Sequence, residues 1–548
     1  MLAPSFRAPP THDVMMASSR TWSWREWSRA GWSRHLPEIP DHEEFVAGLG
    51  EATIHGLAHG VALREPVRPA ISIDGVELTH GALDDRASLA AGWLAAHIAP
   101  GDRVLIAGAA SLDWAACYLG TLRAGGVAVL ANPAYTAAEL DELIGASGAR
   151  LAVAWGDVAG TLAEVARRHR LVLVTAVAEL LTHKTDIVMD RVQPGAIAVL
   201  AFTSGTTGRP KGVPLTHRNL LASIRTAMAA WRWSHDDVLV HALPLFHQHG
   251  LGGLHATLIA GSSLHLLPHF TPGGLLRTVT DSRATVLFAV PTLYQRLVIA
   301  DEALPAAAKD LRLAISGSAP LSEHLATGAA QLLGRIPLVR YGTTESGLDT
   351  SHVYHEPREL GLSGTIGVPL PGLEVRLAGE DGAEVEAGAD GEIQLRGPQV
   401  FGGYWGDVEA TAAAFAAEGW FRTGDIGGLD SASGHLVIRG RSKEVIVSGG
   451  MNVFPREVEI VLEKHPSVEE AAVAGITDER WGEQVTAWVV LEPGHALDAD
   501  ALIAHARSML AAYKCPKQVF SLHALPHNRA GKVDRRKLRA SAGSPEAR

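Results

Sequence analysis

Residues 203–212 combine the side chains that proteins use to bind phosphate groups, in the order Thr203-Ser-Gly-Thr-Thr-Gly-Arg-Pro-Lys211-Gly212. Glycines let a backbone turn tightly and bring its N–H groups close to an anion. Hydroxyl groups add further donors, and a lysine adds a positive charge. The apolar run 196–202 precedes the loop and predicts a strand that enters it. The segment therefore predicts a polyphosphate-binding loop made by Thr203, Ser204, Gly205, Thr206, Thr207, Gly208 and Lys211.

This loop differs from the Walker loop of other nucleotide-binding proteins. Its spacing is not Gly-x-x-x-x-Gly-Lys-Ser/Thr, and no serine or threonine follows Lys211. A flexible surface loop is the alternative, because glycine, proline and serine are also the residues of ordinary turns. The number of matched donors favours phosphate binding over that alternative.

Further motifs follow downstream, and together with the loop they resemble the signature of the adenylate-forming superfamily. That superfamily comprises acyl-CoA synthetases, peptide-synthetase adenylation domains and luciferases. One motif alone would be weak evidence, whereas the ordered set, from about residue 50 to about residue 540, is specific. Locally the chain is most similar to malonyl-CoA synthetases. The motifs are Arg340-Tyr-Gly-Thr-Thr-Glu345, Gly391-Glu392, Phe421-Arg-Thr-Gly-Asp425, Gly440-Arg-Ser-Lys-Glu444, Ser448-Gly-Gly-Met-Asn-Val-Phe-Pro455 and Asn528-Arg-Ala-Gly-Lys532.

The resemblance implies an acid–thiol ligase that uses ATP, Mg²⁺ and coenzyme A. A carboxylate does not react with a thiol unaided, but an acyl-adenylate releases AMP readily. Such a site must neutralise phosphate charge and hold two anions in line. The 203–212 loop would bind the β- and γ-phosphates, and Glu345 would hold Mg²⁺, with Thr203 or Thr344 nearby. The alternative for Glu345 is an acid at a helix start.

The resemblance also implies a nucleoside site. Asp425 would accept hydrogen bonds from two ribose hydroxyls, supported by Arg441, although a helix N-cap or turn aspartate is the alternative. Tyr341 would stack on the adenine, whereas a tyrosine after an apolar run is otherwise typical of the core. The adenine pocket would be lined by Gly317, Ser318, Ala319, Pro320, Tyr341, Gly342 and Thr343.

Two half-reactions in one cavity require a moving part. Lys532 matches the family's lysine that bridges the carboxylate and the α-phosphate, against the alternative of a solvated charge. Lys443 matches the hinge about which the carboxyl-terminal domain rotates. His247 resembles the gate between the two states, with a buried hydrogen-bonded histidine as the alternative. The residues expected to face the CoA pantetheine after rotation are Ser448, Gly449 and Gly450.

The identity of the acid is where the resemblance implies least. In malonyl-CoA synthetases the arginine matching Arg296 pairs with the distal carboxylate, and Arg296 is expected on the first turns of a helix beside the acyl pocket. However, Ser346-Gly-Leu-Asp-Thr-Ser351 departs from the bulkier Thr-Asn/Leu-Met-Asn-Thr-Ser pattern of that group. Small residues there would admit a bulkier, cyclic or polyketide-type acid. An enzyme that performs one half-reaction only, or that loads a carrier protein, is also open.

These groups need a scaffold, and the pattern of apolar runs predicts one. From about residue 48 to 334, β-branched runs alternate with Ala/Leu-rich stretches, which indicates layered α/β sheets with largely parallel strands. Residues 361–436 are rich in turns and short strands, which predicts a β-barrel-like subdomain. Residues 443–548 predict a small mobile α+β domain. Within it, a short helix is expected at Pro455–Leu462, with the proline at its start, and another near Asp498–Tyr513. The expected division is an extension at 1–45, a large AMP-binding domain at 46–442 and the domain at 443–548.

Bulk composition excludes several functional classes. The net charge of −11 argues against nucleic acid as the main partner, because phosphate backbones need a basic surface. Two cysteines do not make a disulfide framework, and a reducing cytoplasm fits. Residues 238–276 lack charged side chains but contain histidines, glycines and prolines, so they predict buried core and no membrane span. A homodimer is left open.

Overall fold

The structure of the chain is a computed structural model that describes residues 23–181, 192–204, 210–300, 309–357, 364–386, 388–448, 451–478, 480–527 and 533–542. Up to residue 181 the elements are α1 (Trp24–His35), α2 (His42–Ala47), α3 (Ile54–Arg64), β1 (Pro69–Ile73), β2 (Val76–Thr79), α4 (His80–Ala95), β3 (Arg103–Ala107), α5 (Leu112–Arg123), β4 (Val127–Ala131), α6 (Ala137–Ser147), β5 (Leu151–Ala154), α7 (Asp157–His169), β6 (Val172–Val174) and α8 (Val177–Leu180).

From residue 192 to residue 357 the elements are β7 (Ile197–Ser204), β8 (Pro210–Thr216), α9 (His217–Ala230), β9 (Val238–His241), α10 (Gln248–Ala260), β10 (Ser263–Leu266), α11 (Pro272–Asp281), β11 (Val286–Ala289), α12 (Pro291–Ile299), β12 (Leu313–Ser316), α13 (Glu323–Leu333), β13 (Leu338–Tyr341) and β14 (Thr350–Ser351). The remaining elements are β15 (Thr365–Pro369), β16 (Glu374–Ala378), β17 (Gly391–Arg396), α14 (Val408–Ala414), β18 (Phe421–Leu429), β19 (Leu436–Arg441), β20 (Ile446–Ser448), β21 (Met451–Val453), α15 (Pro455–Leu462), β22 (Val468–Asp478), β23 (Gly482–Leu491), α16 (Ala499–Met509), β24 (Gln518–Ser521) and α17 (Arg535–Ser541).

Two sheets form the large domain. The first has the strand order β6-β5-β3-β4-β7-β8 and is parallel except for the β7–β8 pair. The second runs through β13-β12-β11-β9-β10-β1 with parallel pairing. The central strands β3, β5, β11 and β12 are almost entirely buried, as expected for parallel strands covered by helices on both faces. The predicted α/β architecture is confirmed.

Three apolar clusters follow from this layering. The largest lies between the two sheets and includes α5, in which every residue from Trp114 to Arg123 is buried. A second cluster lies under α6 and α7, and a third under α11, α12 and α13. Residues 238–276 are divided among β9, α10, β10 and α11 and supply buried core, as the sequence predicts. In the described ranges, no helix is both long and apolar enough to cross a membrane.

Antiparallel strands extend the second sheet beyond β13. The order continues through β14, β15, β19, β18 and β17 and ends at β16. These strands include the region predicted to be β-barrel-like. In the structure they continue the large sheet, and α1 packs against β15 and β16.

Side chains of α1 satisfy the backbone of the end strand β16. Ser23 caps this helix, with Glu26 completing a capping box. The Ser28 hydroxyl accepts from the Val375 N–H at 2.9 Å, and its proton has two acceptors within reach, the Trp24 carbonyl oxygen at 2.9 Å and the Val375 carbonyl oxygen at 3.2 Å. The Trp32 indole donates to the Leu373 carbonyl oxygen at 3.0 Å. The tryptophans of this helix therefore belong to the body of the large domain.

The carboxyl-terminal unit is a separate α+β layer. A long β22–β23 hairpin pairs with β24 in parallel and with the small β20–β21 hairpin. Helices α15 and α16 pack on one face and α17 on the other. The helix predicted at 455–462 with proline at its start is α15. The helix predicted at 498–513 ends earlier, at Met509, because Leu510 takes an extended backbone.

Replacing Ser28 by alanine should lower the free energy of unfolding by about 1–3 kcal/mol, because the buried Val375 N–H would lose its acceptor. Urea unfolding followed by tryptophan fluorescence measures this loss. Ser33→Ala is the matched control, since its hydroxyl bonds only within the helix, to the Arg29 carbonyl oxygen. Equal stability of the two variants would contradict the role assigned to Ser28.

Candidate active site

The strands on either side of the predicted phosphate loop pair as an antiparallel hairpin. Strand β7 precedes the loop and β8 follows it, and Thr203 lies directly opposite Lys211 in the register. Cross-strand partners are close neighbours on one face of a sheet. The hairpin therefore places a hydroxyl and a positive charge side by side at the mouth of the loop. Gly205, Thr206, Thr207, Gly208 and the Ser204 side chain lie outside the described residues.

Tyr404 connects this hairpin to Glu345. Its hydroxyl donates to the Glu345 carboxylate at 2.9 Å, and the Lys211 ammonium lies 4.8 Å from the centre of its ring. Burial and the neighbouring Glu345 carboxylate raise the pKa of Tyr404, so it stays a donor. The next residue, Trp405, donates its backbone N–H to the Gly212 carbonyl oxygen at 2.8 Å. The Tyr404 side chain thus fixes the position of the Glu345 carboxylate relative to the Lys211 ammonium.

Sequence reasoning missed Tyr404. The available signal was the aromatic-rich string Phe401-Gly-Gly-Tyr-Trp405, which lies in the turn-rich region 361–436. Glu345 itself lies in a turn between β13 and β14, so the helix-start alternative is wrong. Its backbone carbonyl accepts from the Phe401 N–H at 2.8 Å, which fixes the turn against the same string.

Asp425 forms the second polar group of the site. Its side chain is only 4% exposed and lies inside β18, so the N-cap alternative is wrong. Tyr341 donates its hydroxyl to one carboxylate oxygen at 2.6 Å, and Arg441 pairs with the other at 2.8 Å. Asp425 raises the pKa of Arg441, and burial followed by this carboxylate raises that of Tyr341. A carboxylate offers about four acceptor positions, so each oxygen retains capacity for a hydroxyl.

The two predicted adenine-binding segments meet at one sheet edge. Gly317 follows β12 and Gly342 follows β13, and these strands are parallel neighbours. The carboxyl ends of parallel strands lie at the same edge, where ligands bind in open α/β sheets. Gly317 has no room for a side chain, because a Cβ atom would clash with the Arg340 guanidinium. Ser318 is exposed in the left-handed region at φ +70°, and Ala319 and Pro320 complete the turn.

A cavity beside the phosphate hairpin includes the predicted gate. His247 is exposed at the start of α10, and its ring centre lies 4.5 Å from that of Phe246. The cavity is also lined by Phe202 of β7 and by Thr344. The next residue, Gln248, donates to the Thr344 carbonyl oxygen at 2.8 Å. His247 is thus placed between the hairpin and the Glu345 turn, and the buried-histidine alternative is wrong.

Gln248 also borders a second cavity, which reaches into the core between α9, α10 and β13. We call it the acyl cavity. Its lining is mostly apolar but includes the buried Arg340 and His249. The lining residues are Leu220, Ser223, Ile224, Trp231, Gln248, His249, Gly252, His255, Phe288, Arg340, Gly347 and Leu348.

Buried polar atoms lie at this cavity without a partner in the described part of the chain. They are Arg340 Nε, His249 Nε2 and, immediately behind the wall, Asp349 Oδ1. Burial lowers the pKa of Arg340 to about 10, raises that of Asp349 to about 7 and lowers that of His249. Unpaired buried groups cost free energy. Arg340 and His249 therefore bring polar groups into an otherwise mostly apolar cavity wall.

Arg296 lies on a helix that follows a strand, as the sequence predicts, but the structure does not place it at either cavity. It is the sixth residue of α12, is exposed, and its guanidinium carbon lies 4.5 Å from the Phe270 ring centre. The helix buries Pro291, Tyr294 and Leu297 on one face, and Arg296 lies on another face. It lines neither of the two cavities. Its expected place beside the acyl pocket is therefore corrected.

The carboxyl-terminal residues are only partly described. Ser448 is buried at the end of β20 and pairs with Met451 across the hairpin. Lys443 is exposed in the single 3₁₀ turn Ser442–Glu444, between the two domains. Gly449, Gly450 and Lys532 lie outside the described residues, so their roles stay predictions.

Comparisons with known proteins agree with this geometry. Residues 59–405 match the model of the AMP-binding enzyme family, and residues 457–532 match that of the AMP-binding enzyme carboxyl-terminal domain. The chain is 36% identical to a feruloyl-CoA synthase of Amycolatopsis sp., over 88% of this chain and 97% of that protein. It is 34% identical to the mitochondrial malonate–CoA ligase of Homo sapiens, over 76% and 78%. ATP-bound MatB from Rhodopseudomonas palustris matches with a TM-score of 0.84 and 34% identity, over 90% of this chain and all of that one.

Asp425→Asn should weaken AMP binding about tenfold, because the variant loses charge-assisted acceptance from ribose hydroxyls. Binding of 2′,3′-dideoxy-AMP should change less than about twofold, since that ligand lacks the hydroxyls. Isothermal titration calorimetry measures both. Asp390→Asn, at an exposed aspartate paired with Arg439, is the control and should alter neither. An equal loss for the two nucleotides would exclude ribose recognition by Asp425.

Proposed function

The chain belongs to the AMP-binding enzyme family, and from that premise we propose that it is an AMP-forming acyl-CoA ligase. It converts a carboxylic acid, ATP and CoA to an acyl-CoA, AMP and pyrophosphate through an acyl-adenylate. The observation that supports this most directly is the connection of Lys211 to Glu345 through Tyr404. The acyl cavity opens beside that connection, at Gln248 and Gly347.

The described residues suit the first half-reaction, the attack of the acid on the α-phosphate. Lys211 and the hairpin would bind the outer phosphates, and Asp425 would fix the ribose. Glu345, Thr203 and Thr344 offer carboxylate and hydroxyl oxygens, which is the hard donor set that Mg²⁺ prefers, and only one Glu345 oxygen is bonded to Tyr404. When bound, Mg²⁺ would neutralise charge on the phosphate oxygens. Lys532 would bridge the carboxylate and the α-phosphate.

The contacts around Lys443 support its role as a hinge. Arg441 is tied to the large domain through Asp425. Glu444 is tied to the small domain, because it pairs at 3.0 Å with Arg535, which also pairs with Glu459. Only Ser442 and Lys443 separate these anchored positions, so their dihedral angles would absorb a rotation.

Rotation would serve the second half-reaction. It would remove the Lys532 loop and bring Ser448, Gly449 and Gly450 to the adenylate, where CoA attacks. The polar contact between Gln295 and Glu469, at 3.1 Å, joins the two domains and would have to break. This hydrogen bond is part-buried, and α15 also packs against β19, so rotation would change both contacts.

The residues that line the acyl cavity indicate which class of acid the enzyme would accept. Trp231, Phe288 and Leu348 make the lining apolar, which favours a largely apolar acyl group, in line with the feruloyl-CoA synthase relative. A malonate-like acid is the second candidate, and the observation that favours it is now the buried Arg340 and not Arg296. An enzyme that performs one half-reaction, or that loads a carrier protein, is the remaining alternative. Pyrophosphate release and CoA consumption, assayed separately over a panel of acids, distinguish all of these. Pyrophosphate release from none of the acids would contradict the proposal.

Tyr404→Phe should raise the KM for MgATP about tenfold and leave the KM for the acid little changed. The variant keeps the ring beside Lys211 but frees the Glu345 carboxylate, whose position then varies. Steady-state kinetics at saturating CoA measures both constants. Tyr513→Phe is a matched control, because Lys514 lies 5.8 Å from the centre of that ring in the other domain. A rise confined to the acid's KM would reject this role.

Lys532→Ala should lower the adenylation rate at least about a hundredfold and spare thioester formation from a supplied acyl-adenylate. The cause is the loss of a positive charge shared by the carboxylate and the α-phosphate in the transition state. ATP–pyrophosphate exchange measures the first step. Lys537→Ala, at an exposed lysine of α17, should behave as wild type. An unimpaired exchange rate in the Lys532 variant would remove this lysine from the mechanism.

A further inference from the structure

One glycine in the wall of the acyl cavity is not required by close packing. Gly252 lies within α10, lines the cavity and is partly exposed, so it has surface that a ligand can meet. A Cβ atom at this position would have one neighbour within 4 Å in the described chain outside its own helix, Cδ1 of Ile224 at 3.7 Å. That separation is an ordinary van der Waals contact. The backbone at Gly252 therefore has room for a side chain that this chain does not carry.

The neighbouring glycines are different. At Gly250 and Gly253 of the same helix, a Cβ atom would approach surrounding atoms to 2.3 Å and 2.9 Å. Gly347, also in the cavity wall, has φ +79°, and a Cβ atom there would lie 2.4 Å from Ser223 Oγ. Close packing or backbone conformation explains these three glycines. Neither explains Gly252.

The missing side chain has a cost and leaves a space. Glycine is less favourable than alanine inside a helix, because the unfolded chain has more backbone freedom to lose. The space beside Gly252 is bordered by apolar side chains of the same wall, among them Ile224, Trp231 and Phe288. An apolar group is therefore the ligand chemistry that suits this space.

We propose that Gly252 sets how large an acyl group the cavity accepts, and that the substrate is an apolar acid whose acyl group fills the space between Gly252 and Ile224. This inference rests on the proposed function. An acyl group that reaches this space would be excluded by a side chain at position 252, because added atoms would overlap with it. A short acid that ends before this space would be affected less.

The test is a competition between two apolar acids of different size. Cinnamate is paired with crotonate, and 3-phenylpropanoate with butanoate, so that within each pair a phenyl group is replaced by a methyl group. The two acids are mixed at equal concentration with ATP and the full chain. Hydroxylamine traps each adenylate by displacing AMP from the acyl carbon, and the ratio of the two hydroxamates is measured by mass spectrometry. This ratio does not depend on the fraction of folded enzyme or on the thiol acceptor.

Wild type should favour the phenyl acid in at least one pair. Gly252→Ala should shift the phenyl-to-methyl ratio of that pair at least about tenfold toward the methyl acid, and Gly252→Val should shift it further. Gly160→Ala is the matched control and should keep the wild-type ratio. Gly160 is an exposed glycine of helix α7, where a Cβ atom would have nothing within 4 Å.

Thermal unfolding separates a filled space from a damaged fold. Gly252→Ala should unfold at or above the wild-type midpoint, since the position has room for a methyl group and alanine suits a helix better. A lower midpoint would show that the position is already packed and would overturn the inference.

A wild-type preference for the methyl acid in both pairs, or an unchanged ratio in both Gly252 variants, would also overturn the inference and leave the ligase proposal intact. Hydroxamate from none of the four acids would have the same meaning. Only the absence of pyrophosphate release over the wider panel of acids would contradict the ligase proposal itself.

Discussion

The buried carboxylate of Asp425 joins parts of the large domain that are built in different ways. Tyr341 ends a parallel strand, whereas Asp425 and Arg441 are neighbours on the antiparallel extension. A carboxylate this deeply buried needs donors on both oxygens, and the tyrosine hydroxyl and the guanidinium provide them. The position of the antiparallel strands relative to the parallel ones is fixed by this requirement. The proposed ribose site and the proposed hinge, which begins next to Arg441, both depend on this arrangement.

The other buried charged groups around the site also need hydrogen-bond partners, but the protein provides these partners to different extents. Asp425 is satisfied from two sides, and Glu345 is partly satisfied by Tyr404. Arg340, His249 and Asp349 keep atoms with no partner in the described chain. Groups that hold the scaffold are therefore paired by the protein, whereas the groups around the acyl cavity are paired only in part. This difference separates the proposed nucleotide side of the site from the proposed acyl side.

The sequence predicted those features that depend on local pattern or on ordered motifs. The strand before the phosphate loop, helix α15 and the layered α/β sheets all follow from apolar periodicity and turn residues, and the structure contains them. The predicted position of Arg296 beside the acyl pocket was not found, because a motif gives a residue's type but not the helix face on which it lies. Tyr404 was missed because its partner is 59 positions away in the chain. Such a contact is set by how the sheets pack, and no local pattern reports it.

The role of α1 bears on how the protein avoids self-association. An end strand presents unpaired N–H and C=O groups, which can recruit a strand from another molecule. The hydroxyl of Ser28 bonds to Val375 in β16, and the indole of Trp32 bonds to Leu373, the residue before this strand. The helix therefore covers this edge, and a chain shortened to begin after residue 35 would expose it. The same truncation would also remove Trp24 and Trp27 from the largest apolar cluster, so exposed backbone groups and lost core packing would both favour aggregation.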